Sequence, residues 1–113
     1  MEGSRSVKID EIDLKIINHL YHLKKNEQIN AYNLADSILK MPKQKKDFIA
    51  YRLEKMVGYG LIQVKKNGEV NPTYHYGLLE ENVRIRKMKI KELGINSQAI
   101  FLNLNGKWCS FLI

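Results

Sequence analysis

The sequence predicts an α+β domain: three short amphipathic helices, a β-hairpin, a fourth helix and a closing hairpin. Three observations predict it. Apolar residues recur at three- and four-residue intervals through the first half of the chain. Strand-forming residues then take over at 61 to 65 and 73 to 78, with the turn chemistry of Asn67, Gly68, Asn71 and Pro72 between them. Near the end, Asn105-Gly106 separates two apolar runs, a strong local signal for a two-residue hairpin turn. With 113 residues, 44% of them hydrophobic, one domain around one core is the expected organisation.

The elements follow in order. Residues 1 to 8 are small and polar and are expected to be disordered. Asp10 and Asp13 have the spacing of a helix N-cap and its acidic third position, suited to the positive end of a helix dipole. Behind them Ile12, Ile16, Leu20 and Leu23, widened by Ile17 and Tyr21, predict a helix over about 10 to 25. Residues 24 to 28 are a polar break, and Asn30 is placed to cap a second helix carrying Leu34, Ala35, Ile38 and Leu39. That helix should stop near Lys40, because Pro42 biases Met41 away from helical geometry. The third helix is expected from about 43 to 57, with Ile49, Leu53 and Met56 inward and Gly58 and Gly60 available to end it. A hairpin over 61 to 78 follows, with Pro72 confined to its tip or an exposed edge.

Residues 79 to 93 admit two readings. As a helix, Leu79, Val83, Ile90 and Leu93 share a stripe while Ile85 and Met88 face away. As a strand, Val83 and Ile85 alternate correctly but the run of charges is awkward. The helix is the expectation adopted, apolar on two sides as a helix between its own domain and a partner subunit would be. AIFLNLNGKWCSFLI then forms the closing hairpin, covered by the domain or by a second copy.

Composition limits the chemistry. No apolar run approaches a membrane span and MEGSRSVK lacks the apolar core of a secretion signal, so a cytoplasmic protein away from membranes is expected. The single Cys109 has no partner for a disulfide or a zinc knuckle and reads as a small buried hydrophobe. His19 and His22 have a chelating spacing but lack a third ligand nearby. His75, between Tyr74 and Tyr76, reads as packing or a phosphate contact, and GYG at 58 to 60 lacks the Lys-Ser/Thr of a phosphate loop. No nucleophile, base and oxyanion set can be assembled. An enzyme, a metal, a cofactor or a small-molecule effector is therefore not expected. The net charge of +7 favours a polyanionic partner, and residues 40 to 66 alone hold eight cations against two acids. A lysine-rich helix start is by itself most often a solvated face.

The order helix, helix, turn, basic helix, Gly-Leu-Ile, hairpin resembles the winged helix-turn-helix domain of small transcription regulators of the MarR and Lrp type, including those of archaea and their viruses. IDEIDLKIINHL is similar to their first helix, INAYNLA to the start of their second, and YHYGLLEEN to the exit from their second wing strand. The resemblance covers about residues 9 to 82. The domain proper is expected at 9 to 79, with 80 to 113 as a possible dimerisation element. Two departures stand out: SILKMPKQKK is longer than the usual tight turn, and the closing hairpin has no counterpart.

The resemblance implies a regulator that binds double-stranded DNA as a homodimer, its third helix in the major groove and its wing on the backbone or minor groove. The residues left outward on that helix, Lys43, Gln44, Lys46, Asp47, Ala50 and Tyr51, are the expected base readers. Glutamine suits adenine, lysine suits guanine or phosphate, and a carboxylate can accept from cytosine. Phosphate contacts fall to Lys45, Arg52, Lys65 and Lys66, to Asn30, Tyr32 and Asn33 at the second helix N-terminus, and to the wing tip at Asn67 and Gly68. The competing expectation is a winged-helix module that docks onto another protein through the apolar closing hairpin. RNA binding is a third, without the exposed aromatic platforms it usually needs.

Overall fold

Three helices come first, then a two-stranded hairpin and a three-stranded antiparallel sheet. The computed structural model describes residues 8–23, 29–39, 46–90 and 95–112. Helix α1 spans Glu11–Tyr21. Its start is a reciprocal capping box: Asp10 accepts from the Asp13 N–H at 3.0 Å, and Asp13 accepts from the Asp10 N–H at 3.1 Å. Ile16, Ile17 and Leu20 are buried as expected, joined by Leu14, whereas Tyr21 is exposed. The helix stops at Tyr21, with His22 as its C-cap. Helix α2, Ala31–Leu39, is capped by Asn30, whose Oδ1 accepts from the Asn33 N–H at 2.7 Å.

Helix α3, Lys46–Gly58, buries Ile49, Leu53 and Met56 completely. Its end depends on Gly60 rather than Gly58. Gly60 sits at φ +80° and donates to Val57 O, while the Leu61 N–H reaches back to Met56 O. This is the double hydrogen bond of a glycine-terminated helix, with the customary apolar contact between Met56 and Leu61, both fully buried.

Strand β1, Ile62–Asn67, pairs antiparallel with β2, Thr73–Leu78. Ile29, ahead of α2, exchanges two backbone hydrogen bonds with Tyr76 and so fastens β2 to the α1–α2 connection. Pro72 lies just outside β2, where a missing N–H costs the ladder nothing.

The expected helix over 79 to 93 is not what forms. Glu80–Asn82 makes one 3-10 turn, and Val83–Ile90 is a strand, β3. Its partner is β4, Ile95–Leu104, in the register Val83↔Leu102 and Ile85↔Ile100. The deciding pattern is period two. Val83 is buried and Ile85 half-buried while Arg84 and Arg86, on the opposite face, are exposed, so both arginines of the run occupy the solvent face. The closing hairpin forms as expected. Asn105 and Gly106 both take positive φ, 56° and 86°, between β4 and β5, Lys107–Leu112.

One core runs through all of this, from Ile16, Leu34 and Leu53 to Val83, Ile100 and Leu102. Asn82 bridges the two halves: its Nδ2 donates to Gly60 O at 2.7 Å, and its Oδ1 accepts from Asn103 on β4. Among the described residues no helix is long and apolar enough to cross a membrane.

Candidate nucleic-acid interface

Helix α3 presents three faces. The apolar stripe Ile49, Leu53 and Met56 fixes its rotation. A second face, Arg52 and Lys55, turns to the start of α1. Arg52 Nη1 donates to both Asp10 oxygens at 2.5 Å and to Asp13 Oδ1 at 3.1 Å, and Lys55 Nζ donates to Asp13 Oδ2 at 2.5 Å. Lys55 also donates to the carbonyl of Lys8. The outer face is Asp47, Tyr51 and Glu54, all exposed, with Tyr51 70% accessible. Ala50 is half-buried beside them.

Asp13 is fully buried, and its carboxylate is met by two cations and a backbone N–H, the compensation a buried charge requires. The hydrogen bond from Arg52 takes the Asp10 carboxyl from 3.8 down to about 2, against the opposing pull of burial and with help from the Asp13 N–H. For Arg52, burial works against the charged form, and the hydrogen bonds to Asp10 and Asp13 outweigh it, so its pKa is raised. The Arg52 guanidinium also lies 4.5 Å from the Phe48 ring centroid, covering a ring that remains 40% exposed.

Arg52, expected on phosphate, is thus directed at two carboxylates of its own chain. Lys65 and Lys66 are exposed on β1, opposite His75 and Tyr74. Beyond them Asn67 Nδ2 meets His75 Nδ1 at 2.9 Å, and Gly68 turns the chain at φ +87°. The hairpin tip also carries Glu69 and an 85% exposed Val70, neither of which the sequence pattern singled out. Asn33 is exposed at the first turn of α2, and the Asn30 oxygen is committed to capping it. Lys43, Gln44 and Lys45 lie outside the described residues. So do the side chains of Tyr32 and Lys46, although their backbones belong to α2 and α3.

The Asp10–Asp13–Arg52–Lys55 cluster is what residue patterns missed. Asp13 was legible as a capping residue, but nothing local points to cations some 40 residues away. His19 and His22 line an open cleft of about 480 Å³ with Lys15, Asn18, Ile38 and Gln98. His22 Nδ1 lies 2.7 Å from Asn18 O, and among the described residues no group of three metal-ligating side chains assembles.

Fold and site together define a small α+β domain in which a hairpin with exposed lysines directly follows a rigidly seated third helix. Comparison with protein-family models, with curated proteins and with solved structures finds no match to this chain.

Proposed function

We propose that the chain is a winged helix-turn-helix transcription regulator that binds double-stranded DNA as a homodimer. The observation that carries this reading is how the hairpin is mounted. Its first strand leaves α3 through the Gly60 cap, and its second is pinned to the α1–α2 connection by the Ile29–Tyr76 bridge. Lys65 and Lys66 are therefore held at a set distance from α3 rather than on a free loop. In this reading Tyr51 and Asp47, with Lys43, Gln44 and Lys46, face base edges. Lys65, Lys66 and the Asn67-Gly68 corner follow the backbone, with Asn33 contributing from α2. Arg52 is left out of the contact set, because its guanidinium is engaged by Asp10 and Asp13 at the start of α1.

Anisotropy of a labelled duplex pool, titrated at several salt concentrations, tests the proposal. The logarithm of the affinity should fall linearly with the logarithm of salt concentration, with a slope of about −0.9 per phosphate neutralised. No binding, or binding indifferent to salt, refutes it. The protein-docking reading draws on one observation, the exposure of Trp108 and Leu112 on the closing hairpin. Capture of a different protein through those residues, without DNA binding, would favour it.

A further inference from the structure

The two edges of the three-stranded sheet are not alike. Strand β3 presents exposed Arg84, Arg86 and Lys87 along its length, the charged guarding that keeps an edge from pairing with other chains. Strand β5, KWCSFL, has one charge in six residues, Lys107 at its start, and no proline. Among the described residues no strand pairs with its outer edge.

The hydrogen bonding of that edge follows from the turn. In a two-residue hairpin with both turn residues at positive φ, the flanking pair, Leu104 and Lys107, is hydrogen-bonded. Alternation along the antiparallel ladder makes Leu102↔Cys109 and Ile100↔Phe111 the next hydrogen-bonded pairs. The N–H and C=O groups of Trp108, Ser110 and Leu112 therefore point away from β4. These same residues share the outer face of the sheet, where Trp108 is 44% and Leu112 65% exposed, while Cys109 and Phe111 pack against the core.

We propose that β5 pairs antiparallel with β5 of a second copy of this chain, about a two-fold axis at Ser110, joining two sheets into one of six strands. In that register Ser110 faces Ser110 of the partner subunit. Trp108 faces the partner's Leu112 and Leu112 faces the partner's Trp108. All three are hydrogen-bonded pairs, and the two most exposed apolar side chains of the strand cover each other twice. A register shifted by one residue would put the core-packing face of one copy beside the solvent face of the other. Charge selects the same edge, because two chains of net charge +7 meet one cation each along β5 and three or more along β3. The inference stands on the sheet alone, and it supplies the two-fold axis that a dimeric DNA reader needs.

Sedimentation velocity without DNA, over a range of protein concentrations, provides the test. The wild-type chain should show a concentration-dependent dimer. Ser110→Pro should keep the monomer fold by circular dichroism, since the lost N–H points to solvent and edge strands tolerate proline, and should weaken dimerisation at least tenfold. Trp108→Glu should do the same from the side-chain side. In a Cys109→Ser background, Ser110→Cys should oxidise to a covalent dimer, because hydrogen-bonded partners sit about 5.5 Å apart at Cα, within disulfide range. Lys107→Cys in that background should not. A wild-type chain that stays monomeric at every concentration, or a dimer indifferent to Ser110→Pro, overturns the proposal, whatever the outcome of the DNA titration.

Discussion

Replacing Asp13 with alanine removes the one carboxylate that, among the described residues, holds Lys55, and one of the two carboxylates that hold Arg52. Breaking a buried ion pair from one side costs about 3–5 kcal/mol, because the surviving charge loses its partner without regaining water. The structure places this case at the low end. Arg52 keeps both oxygens of Asp10, and Lys55 keeps the Lys8 carbonyl and a side chain 19% open to solvent. The expected loss is about 3 kcal/mol, a large share of the roughly 5–15 kcal/mol a domain of this kind has. Urea unfolding followed by far-ultraviolet circular dichroism measures it. With a slope of about 1.5 kcal/mol per molar, the midpoint should fall by about 2 M at unchanged slope. Asp13→Leu combined with Lys55→Met should recover most of the loss, since apolar replacement of a whole buried pair is often neutral or better. An Asp13→Ala variant within about 0.5 kcal/mol of wild type, the range of an ordinary surface change, would refute the reasoning. So would a double variant no more stable than the single one.

Other measurements check other parts of the structure. Asp10 has a folded pKa of about 2 against an ordinary 3.8, so its contribution is complete above about pH 4 and is lost as pH falls toward 2. Arg52→Met should flatten that part of the acid unfolding curve. Gly60→Ala should cost about 1–2 kcal/mol through its φ of +80° alone, because an added Cβ meets nothing nearer than Asn82 Nδ2 at 3.8 Å. Gly58→Ala, with open space around the Cβ and no left-handed backbone, should stabilise by about 0.4–1 kcal/mol in the same denaturation assay. In duplex titrations, Lys65→Ala and Lys66→Ala should each reduce the steepness of the salt dependence by about 1. Tyr51→Ala should instead lower affinity for a selected site more than for random duplex.

What was legible in the sequence was local. Helix α1 announces itself by Asp10 and Asp13, α2 by Asn30, and the closing turn by Asn105-Gly106, because in each case the partners of the hydrogen bond lie within a few residues. Strand β3 is obscured in the sequence because a helical stripe through Leu79, Val83, Ile90 and Leu93 competes with the shorter alternation Val83, Arg84, Ile85, Arg86. What settles the matter is β4, whose Leu102 and Ile100 lie opposite Val83 and Ile85, and no window on residues 79 to 93 contains it. The Ile29–Tyr76 bridge was hidden for the same reason: its two backbone hydrogen bonds join residues 47 apart in sequence.

The charge of α3 shows most clearly what counting residues leaves out. The cations of residues 40 to 66 suggested a basic helix facing a duplex, yet Arg52 and Lys55 point to α1, and the exposed stripe is Asp47, Tyr51 and Glu54. A duplex meeting that stripe along its full length would face two carboxylates, which its phosphates repel. In the proposed DNA complex, entry by the N-terminal end leaves only one of them, Asp47, at the duplex. It brings the positive end of the helix dipole toward the backbone, sets Tyr51 and Asp47 at base edges, and leaves Glu54, one turn further along, outside the groove. The exposed lysines of β1 then supply attraction that the described part of α3 does not. On the proposed DNA-binding reading these charges make the hairpin a principal source of affinity and leave discrimination to α3, whose rotation the buried Ile49, Leu53 and Met56 fix.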